Sequence, residues 1–118
     1  MITPALVKPP VSKDVLDRID VRVGTIRSVE DVPNSKKLCR LTVWFGDHER
    51  RILAGIRGER ANPQALAGRQ ALFVVNLEPR KMAGEVSEGM LFDVGYADGI
   101  RPVLAVPEEA VDDGARAG

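Results

Sequence analysis

The sequence has few of the side chains from which catalytic and metal sites are built. Among 118 residues there is one histidine, His48, and one cysteine, Cys39. A single cysteine excludes an internal disulfide and is typical of a reducing compartment. One histidine and one cysteine also fall short of the ligand clusters that hold structural metals, and no glycine-rich nucleotide loop occurs. We therefore expect no catalytic residues, no metal and no cofactor.

Long apolar segments and a net charge are missing as well. No apolar run approaches the roughly 20 residues of a membrane-spanning helix, and the first residues do not have the pattern of a secretory signal. We expect a cytoplasmic protein that does not enter a membrane. The formal net charge is zero, yet residues 21–81 hold twelve basic and six acidic residues, a net charge of +6. A basic centre between acidic ends is compatible with a polyanion site, or with a solvated surface of mixed charge.

Short segments in which apolar and polar residues alternate predict an all-β protein. Ile19, Val21 and Val23 predict a first strand, and the change of phase after Gly24 predicts a bulge or bend. In 40–45 the alternation places Arg40, Thr42 and Trp44 on the face away from the core. The sequence predicts further strands at 50–56, 70–75 and 90–94, an extended edge segment at 101–107, and short helices after Ser12 and across 62–68.

Five short strands with a helix between the third and the fourth have the layout of an OB-fold barrel. Prolines at positions 4, 9 and 10 predict a flexible N-terminal segment over residues 1–11. The barrel is predicted for residues 12–106, and an acidic C-terminal tail for 107–118. Such barrels often bind oligonucleotides on a strand face and its loops, although a fold alone does not establish a function.

The connection between the fourth and fifth predicted strands carries more hydrogen-bond donors than a turn requires. It reads Asn-Leu-Glu-Pro-Arg-Lys-Met at 76–82 and Ser-Glu-Gly-Met-Leu at 87–91. Arg80 offers a planar fork to phosphate and Lys81 a mobile point charge. Asn76 and Ser87 can donate to phosphate or sugar, and Met90 offers a soft surface to a base. The alternatives are a charge-capped turn, an Asx turn and core filling.

These two motifs resemble the tRNA-binding domain family. The resemblance also rests on Asp-Val-Arg-Val-Gly at 20–24, Ser-Lys-Lys-Leu at 35–38 and Ala-Gly-Ile at 54–56, and it covers about residues 17–94. The family includes the C-terminal domain of bacterial methionyl-tRNA synthetase, free-standing tRNA-binding proteins and the CsaA secretion chaperones. The resemblance implies an OB-fold homodimer without catalytic activity that binds tRNA by shape and backbone. It places these residues at or beside the RNA: Arg22, Lys37, Asn76, Arg80, Lys81, Ser87 and Met90.

The sequence leaves alternatives to tRNA binding open. Residues 103–108 are similar to the extension through which free-standing family members pair, whereas Trp44 stands where many members carry an acidic residue. Trp44 is either a packing or subunit contact or a base-stacking platform. A CsaA-like chaperone for unfolded or pre-secretory polypeptides would need an exposed apolar groove, with Trp44, Met82 and Met90 as candidates. A domain that recruits a synthetase partner is a third possibility. The motifs at 79–82 and 87–90 favour tRNA.

Overall fold

A curled antiparallel sheet dominates the computed structural model, which describes residues 1–118. The elements in chain order are α1 (Lys13–Asp17), β1 (Val21–Asp31), β2 (Cys39–Trp44), β3 (Glu49–Ala54), a 3₁₀ helix (Pro63–Leu66), β4 (Gln70–Val74), β5 (Arg80–Met82), β6 (Glu85–Ser87), β7 (Met90–Leu91), β8 (Asp93–Val94), a second 3₁₀ helix (Tyr96–Asp98), β9 (Val103–Leu104) and β10 (Arg116–Ala117). None of the helices has the length and apolar character needed to cross a membrane.

The strand β1 organises the sheet because it is long enough to serve two neighbours. It spans 11 residues, of which Val21 to Thr25 pair with β4 and Thr25 to Asp31 pair with β2. The resulting order is β3-β2-β1-β4-β7, with β10 added to β1. Five main strands, with the 3₁₀ helix between β3 and β4, confirm the predicted all-β OB-fold barrel.

The interior of the barrel is a single apolar cluster of 14 buried residues. Alternating burial along β2, where Cys39, Leu41 and Val43 point inward, confirms the predicted strand phase. Phe45 and Phe73 meet edge to face with ring centroids 5.6 Å apart, an arrangement that aromatic pairs prefer. The inner faces of β1 to β4 therefore supply the core, and their outer faces remain available for other surfaces.

The barrel closes between β3 and residues 87–89. The Glu88 N–H donates to Arg51 O (2.9 Å), and the Glu88 carboxylate accepts the Arg51 N–H (2.9 Å). One residue earlier, the Ser87 hydroxyl accepts the Leu53 N–H (3.0 Å) and donates to Gly89 O (2.9 Å). A Cβ on Gly89 would lie 2.9 Å from Val74 O, so this position has no room for a side chain. The Ser-Glu-Gly sequence is thus the seam of the barrel.

Two predicted details of the strands are wrong. The irregularity in β1 lies between Ile26 and Ser28 rather than at Gly24. Gly24 instead allows a close approach, because a Cβ there would lie 2.6 Å from Val43 Cγ1 and 2.8 Å from Phe45 Cε1. The strand predicted at 90–94 is divided at Phe92, whose N–H donates to Leu72 O while its carbonyl accepts the Ala105 N–H.

The predicted helices are both present but differ from expectation at their ends. A short α-helix follows Ser12, and the helix predicted across 62–68 is a 3₁₀ helix. Neither Ser12 nor Asn62 makes the side-chain capping hydrogen bond that its position suggests. Residues 1–11 are exposed and have no regular secondary structure.

The last residues of the chain run along β1, where β2 no longer reaches. The Val23 N–H donates to Ala115 O (2.9 Å) and the Gly114 N–H donates to Val23 O (2.7 Å). The Thr25 hydroxyl donates to the Asp113 carboxylate (2.7 Å). The division into a segment 1–11, a domain 12–106 and a tail 107–118 stays a prediction, but residues 113–117 lie on the barrel.

Because Gly24 faces two packed side chains, we expect Gly24→Ala to lower the free energy of unfolding by about 1–3 kcal/mol. Gly55→Ala is the matched control, since no atom lies within 4 Å of a Cβ at that position. Urea unfolding followed by circular dichroism measures both variants. Equal stability of the two variants would contradict the packing role of Gly24.

Candidate nucleic-acid interface

The connection that carries Arg80 and Lys81 is a two-stranded ribbon, formed by β5 and β6 across residues 80–87. Met82 pairs with Glu85, which leaves Ala83 and Gly84 as a two-residue loop. Both loop residues have positive φ, 50° and 83°, as a type I′ hairpin turn requires. The sequence predicts a connection between two strands here and no further strand pair, and Ala-Gly lacks the Asn-Gly signature of such a turn. The cations therefore stand on paired strands.

The ribbon is fixed to the barrel by one of its two faces. Because strand side chains alternate, Arg80, Met82, Glu85 and Ser87 share one face, and Lys81 shares the other with Val86. On the first face the Glu85 carboxylate accepts hydrogen bonds from Arg40 of β2 at 2.9 and 3.4 Å. The buried Ser87 adds its bond to β3. Arg80 and Lys81 consequently leave the ribbon on opposite faces.

Lys37, Arg80 and Lys81 are exposed, and none of them forms an ion pair. Lys37 lies just before the start of β2. Arg40, near the same end of β2, pairs with Glu85 of the ribbon. The Lys37 backbone is held by bonds to the Ser35 hydroxyl and the Arg57 N–H. These three cations can therefore neutralise phosphates without first giving up an internal partner.

Ser87 and Asn76 are engaged inside the protein instead. Ser87 is 3% exposed, and its hydroxyl both accepts and donates within the barrel seam, so it is not available to RNA. The Asn76 amide accepts the Asp20 N–H (2.7 Å) and donates to Arg18 O (2.6 Å). These bonds join the end of β4 to the start of β1. We interpret both residues as structural.

Arg22 is also occupied, by Asp20. Its guanidinium donates to both carboxylate oxygens, with distances of 3.1–3.2 Å, and Arg116 of β10 donates to the same group. These bonds, above all those from Arg22, lower the pKa of the Asp20 carboxyl. The cluster therefore stabilises the fold above the unfolded-state pKa of Asp20, and this contribution is lost as the pH falls through the lowered value. Arg22 is a poor candidate for phosphate.

Met90 belongs to a different surface. It is 43% exposed and lines a depression on the outside of β4 and β7. We call this surface the apolar depression; it is lined by Arg18, Ile19, Val74, Asn76, Leu77, Met90 and Phe92. The structure thus brings Arg80 and Lys81 together on the ribbon, with Lys37 nearby in the fold. It assigns Met90 and Asn76 to another place.

One surface of interest was only partly predicted. The outer face of β2 carries Arg40, Thr42 and Trp44, as the alternation indicates. The structure adds Arg27 of β1, whose guanidinium carbon lies 4.3 Å from the centroid of the Trp44 ring. Alternation along one strand does not report which residue of a neighbouring strand lies opposite, so this contact could not be found from the sequence.

The single cysteine is buried in the core, and the single histidine lies in the turn between β2 and β3. Burial raises the pKa of the Cys39 thiol to about 11, and the Asp31 carboxylate adds to the effect. A thiol of this kind is a weak nucleophile at neutral pH. The His48 ring is bonded to Asp47 and Arg50. No group of three or more His, Cys, Asp or Glu residues is arranged to hold a metal ion.

Residues 21–116 match the family described as "Putative tRNA binding domain". The chain belongs to this tRNA-binding domain family. The match includes all ten strands except the last residue of β10, and so it contains the ribbon, the barrel seam and the C-terminal segment on β1.

This tRNA-binding domain is similar to a small part of much longer ligases and to the whole of some solved chains. A methionine–tRNA ligase of Methanocaldococcus jannaschii is 39% identical over 94 residues, which are 80% of this chain but 14% of the ligase. The MetRS-related protein of Pyrococcus horikoshii superposes with a TM-score of 0.86 at 33% identity, over 94% of this chain and 100% of that one. The chaperone CsaA of Bacillus anthracis gives a TM-score of 0.80 at 28% identity, over 93% and 100%.

The assignment of Ser87 to the barrel seam can be tested by Ser87→Ala. This change leaves the buried Leu53 N–H without a partner, so we expect the free energy of unfolding to fall by about 1–3 kcal/mol. We also expect the affinity for tRNA to stay unchanged at a temperature where the variant is folded. Ser28→Ala is the control, because the Ser28 hydroxyl takes no part in the side-chain hydrogen bonds of the tRNA-binding domain. Lost tRNA affinity at unchanged stability would restore Ser87 as an RNA contact.

Proposed function

We propose that this protein is a non-catalytic, cytoplasmic tRNA-binding protein that recognises folded tRNA by shape and backbone and acts as a homodimer. The observation that carries the proposal is the pair of exposed cations, Arg80 and Lys81, on a ribbon anchored to the barrel. Membership of the tRNA-binding domain family and the likeness to a MetRS-related protein support it.

The ribbon suits phosphate because its geometry is established before binding. Its Glu85 is paired with Arg40, so this acid of the ribbon does not compete with RNA for the cations. Holding Arg80 and Lys81 on paired strands lowers the conformational entropy that binding would otherwise cost. Because the two side chains leave opposite faces, they would contact separate phosphates.

Recognition through the backbone also explains why so few base-reading groups are free. Asn76 and Ser87, the two side chains suited to a base edge, are committed to the fold. Contacts to phosphate and sugar fix position and orientation but carry no sequence information. A protein with these contacts would select RNA by the spacing of its phosphates, as a folded tRNA provides. Lys37 would add a contact from the segment before β2.

The homodimer in this proposal uses the outer face of β4 and β7. The apolar depression there has four exposed apolar side chains around the buried Val74, namely Ile19, Leu77, Met90 and Phe92. A second copy would cover these side chains, since monomeric proteins rarely expose large contiguous apolar patches. A two-fold dimer would also present two ribbons to one RNA.

A CsaA-like chaperone is the second candidate. The apolar depression favours it, because Met90, Leu77 and Phe92 could contact apolar residues of an unfolded or pre-secretory polypeptide. The structural similarity to the B. anthracis chaperone also favours this function. In this case the depression would be open in solution and would not be covered by a second copy.

The ribbon assignment predicts the behaviour of the double variant Arg80→Ala, Lys81→Ala. With about four phosphate contacts the logarithmic salt dependence of tRNA binding should have a slope of roughly −3, and the loss of two contacts should reduce it to roughly −1.5. Filter binding of total tRNA over a range of salt concentrations measures both slopes. Lys8→Ala, Lys13→Ala removes two charges from outside the barrel and should behave as wild type. Wild-type affinity of the ribbon variant at low salt would exclude this site.

The use of the apolar depression predicts the outcome of Met90→Glu, Phe92→Glu. A charged pair on this face should convert a dimer into a monomer of half the mass, which light scattering after size exclusion measures. Val86→Glu, on the free face of the ribbon, is the control and should remain dimeric. A variant that stays dimeric but no longer binds a reduced, unfolded polypeptide would favour the chaperone function. A monomeric wild-type protein would exclude the homodimer.

A further inference from the structure

The outer face of β1, β2 and β3 carries two planar side chains in contact, Arg27 and Trp44. Neither of them belongs to the proposed phosphate site on the ribbon. The Arg27 guanidinium lies over the Trp44 ring at 4.3 Å, a distance typical of a cation–π contact. An ion pair with Glu49 of β3, at 2.5 Å, holds the same guanidinium. The Arg27 side chain is nevertheless 48% exposed. The Arg27 guanidinium thus lies over the indole, while about half of the Arg27 side chain remains exposed to solvent.

The strand irregularity in β1 is what brings Arg27 to this place. The register of β1 against β2 shifts between Ile26 and Ser28, so Arg27 is the residue at the irregularity. Such bulges redirect a side chain that would otherwise follow the regular alternation. Glu49 is the cross-strand partner of Trp44, and its carboxylate therefore fixes the guanidinium beside the ring. The pair is held by neighbours on three strands.

A guanidinium that lies over an aromatic ring places a planar cation beside a planar apolar group. Unpaired RNA bases stack on arginine planes and on aromatic rings, and this contact tolerates every base because each has a π face. Paired bases inside a helix do not offer a free face. The chemistry of the pair thus selects a nucleotide that is splayed out of its helix or lies in a single-stranded segment.

A continuous polar surface connects this pair with the ribbon. Arg40, which holds Glu85 of the ribbon, and Trp44 lie on the same face of β2, and four residues of strand span about 13 Å. Between them lie Thr42 and its cross-strand partner Arg51. The Arg51 side chain is exposed and forms no ion pair. An RNA backbone bound at the ribbon can therefore extend over Arg51 toward Arg27.

We propose that Arg27 and Trp44 form a stacking platform for one unpaired base of the RNA whose backbone the ribbon binds. The inference rests on the proposed RNA-binding function and adds a subsite to it. The platform recognises the planar face of a base, whereas the ribbon recognises charge. It gives the protein a preference for RNA with an accessible unpaired base over RNA that is fully helical.

The test uses Trp44 itself, because it is the only tryptophan of the chain. Titration with total tRNA, and with a short oligoadenylate as single-stranded probe, should produce a saturable change in Trp44 emission. Arg27→Lys keeps the charge but removes the plane, and should lower the affinity for both RNAs about tenfold, as for one lost base stack. Arg101→Lys is the matched control and should retain wild-type affinity, because Arg101 is exposed, forms no ion pair and lies outside both the ribbon and the outer face of β1 to β3. Trp44→Leu, folded by circular dichroism, should weaken binding as Arg27→Lys does.

The proposal requires both the emission change and the loss of affinity in Arg27→Lys. If Arg27→Lys binds as wild type, Arg27 is at most a phosphate contact and the platform is excluded. Emission that does not change at saturating RNA excludes it as well. In either case the weakened binding of Arg80→Ala, Lys81→Ala would leave the tRNA-binding function intact. If that double variant also binds as wild type, the proposed function itself fails.

Discussion

The joint between β3 and residues 87–89 is the constraint on which the rest of the structure depends. An OB-fold barrel needs its third strand to meet its last main strand, and here the Ser87 hydroxyl and the Glu88 carboxylate accept the N–H groups of Leu53 and Arg51 at that joint. Ser87 is the last residue of β6 and Glu88 follows it, so the closure of the barrel also fixes the base of the ribbon. Barrel stability and the position of Arg80 and Lys81 are therefore properties of one set of hydrogen bonds.

The surfaces of this barrel separate three kinds of chemistry. The ribbon offers charge, the outer face of β1 to β3 offers planar and polar groups, and the outer face of β4 and β7 offers apolar side chains around Val74. The tRNA-binding domain family contains relatives described both as MetRS-related and as chaperones. A barrel with one surface suited to phosphate groups and another suited to the apolar residues of a polypeptide is compatible with both descriptions. The unpaired cations of the ribbon are the reason to prefer RNA.

Much of the fold could be predicted from the sequence, and less of the site. Alternation along 40–45 reports which side chains enter the core, because successive side chains of a strand point to opposite faces of the sheet, and the apolar run at 71–75 indicates a buried strand. The roles of Ser87 and Asn76 depend on partners 34 and 56 positions away in the chain, and no local pattern reports such a pairing. The exposure of Arg80 and Lys81 could be predicted because a charged side chain in a connection needs no partner within the protein, and their contact with RNA stays a prediction. Arg27 escaped prediction because its position depends on a register shift between two strands.

The C-terminal segment along β1 has a consequence for how the molecules behave toward one another. The first residues of β1, those before Thr25, have no β2 residues opposite them. Hydrogen bonds between Val23 and residues Gly114 and Ala115 occupy this edge instead. An open edge flanked by valines would be a template for strand pairing between molecules. Residues 114–117 thus occupy the hydrogen-bonding groups through which another strand could pair with this part of β1. Proteolytic removal of residues 114–117 would expose this edge while leaving the cations of the ribbon in place.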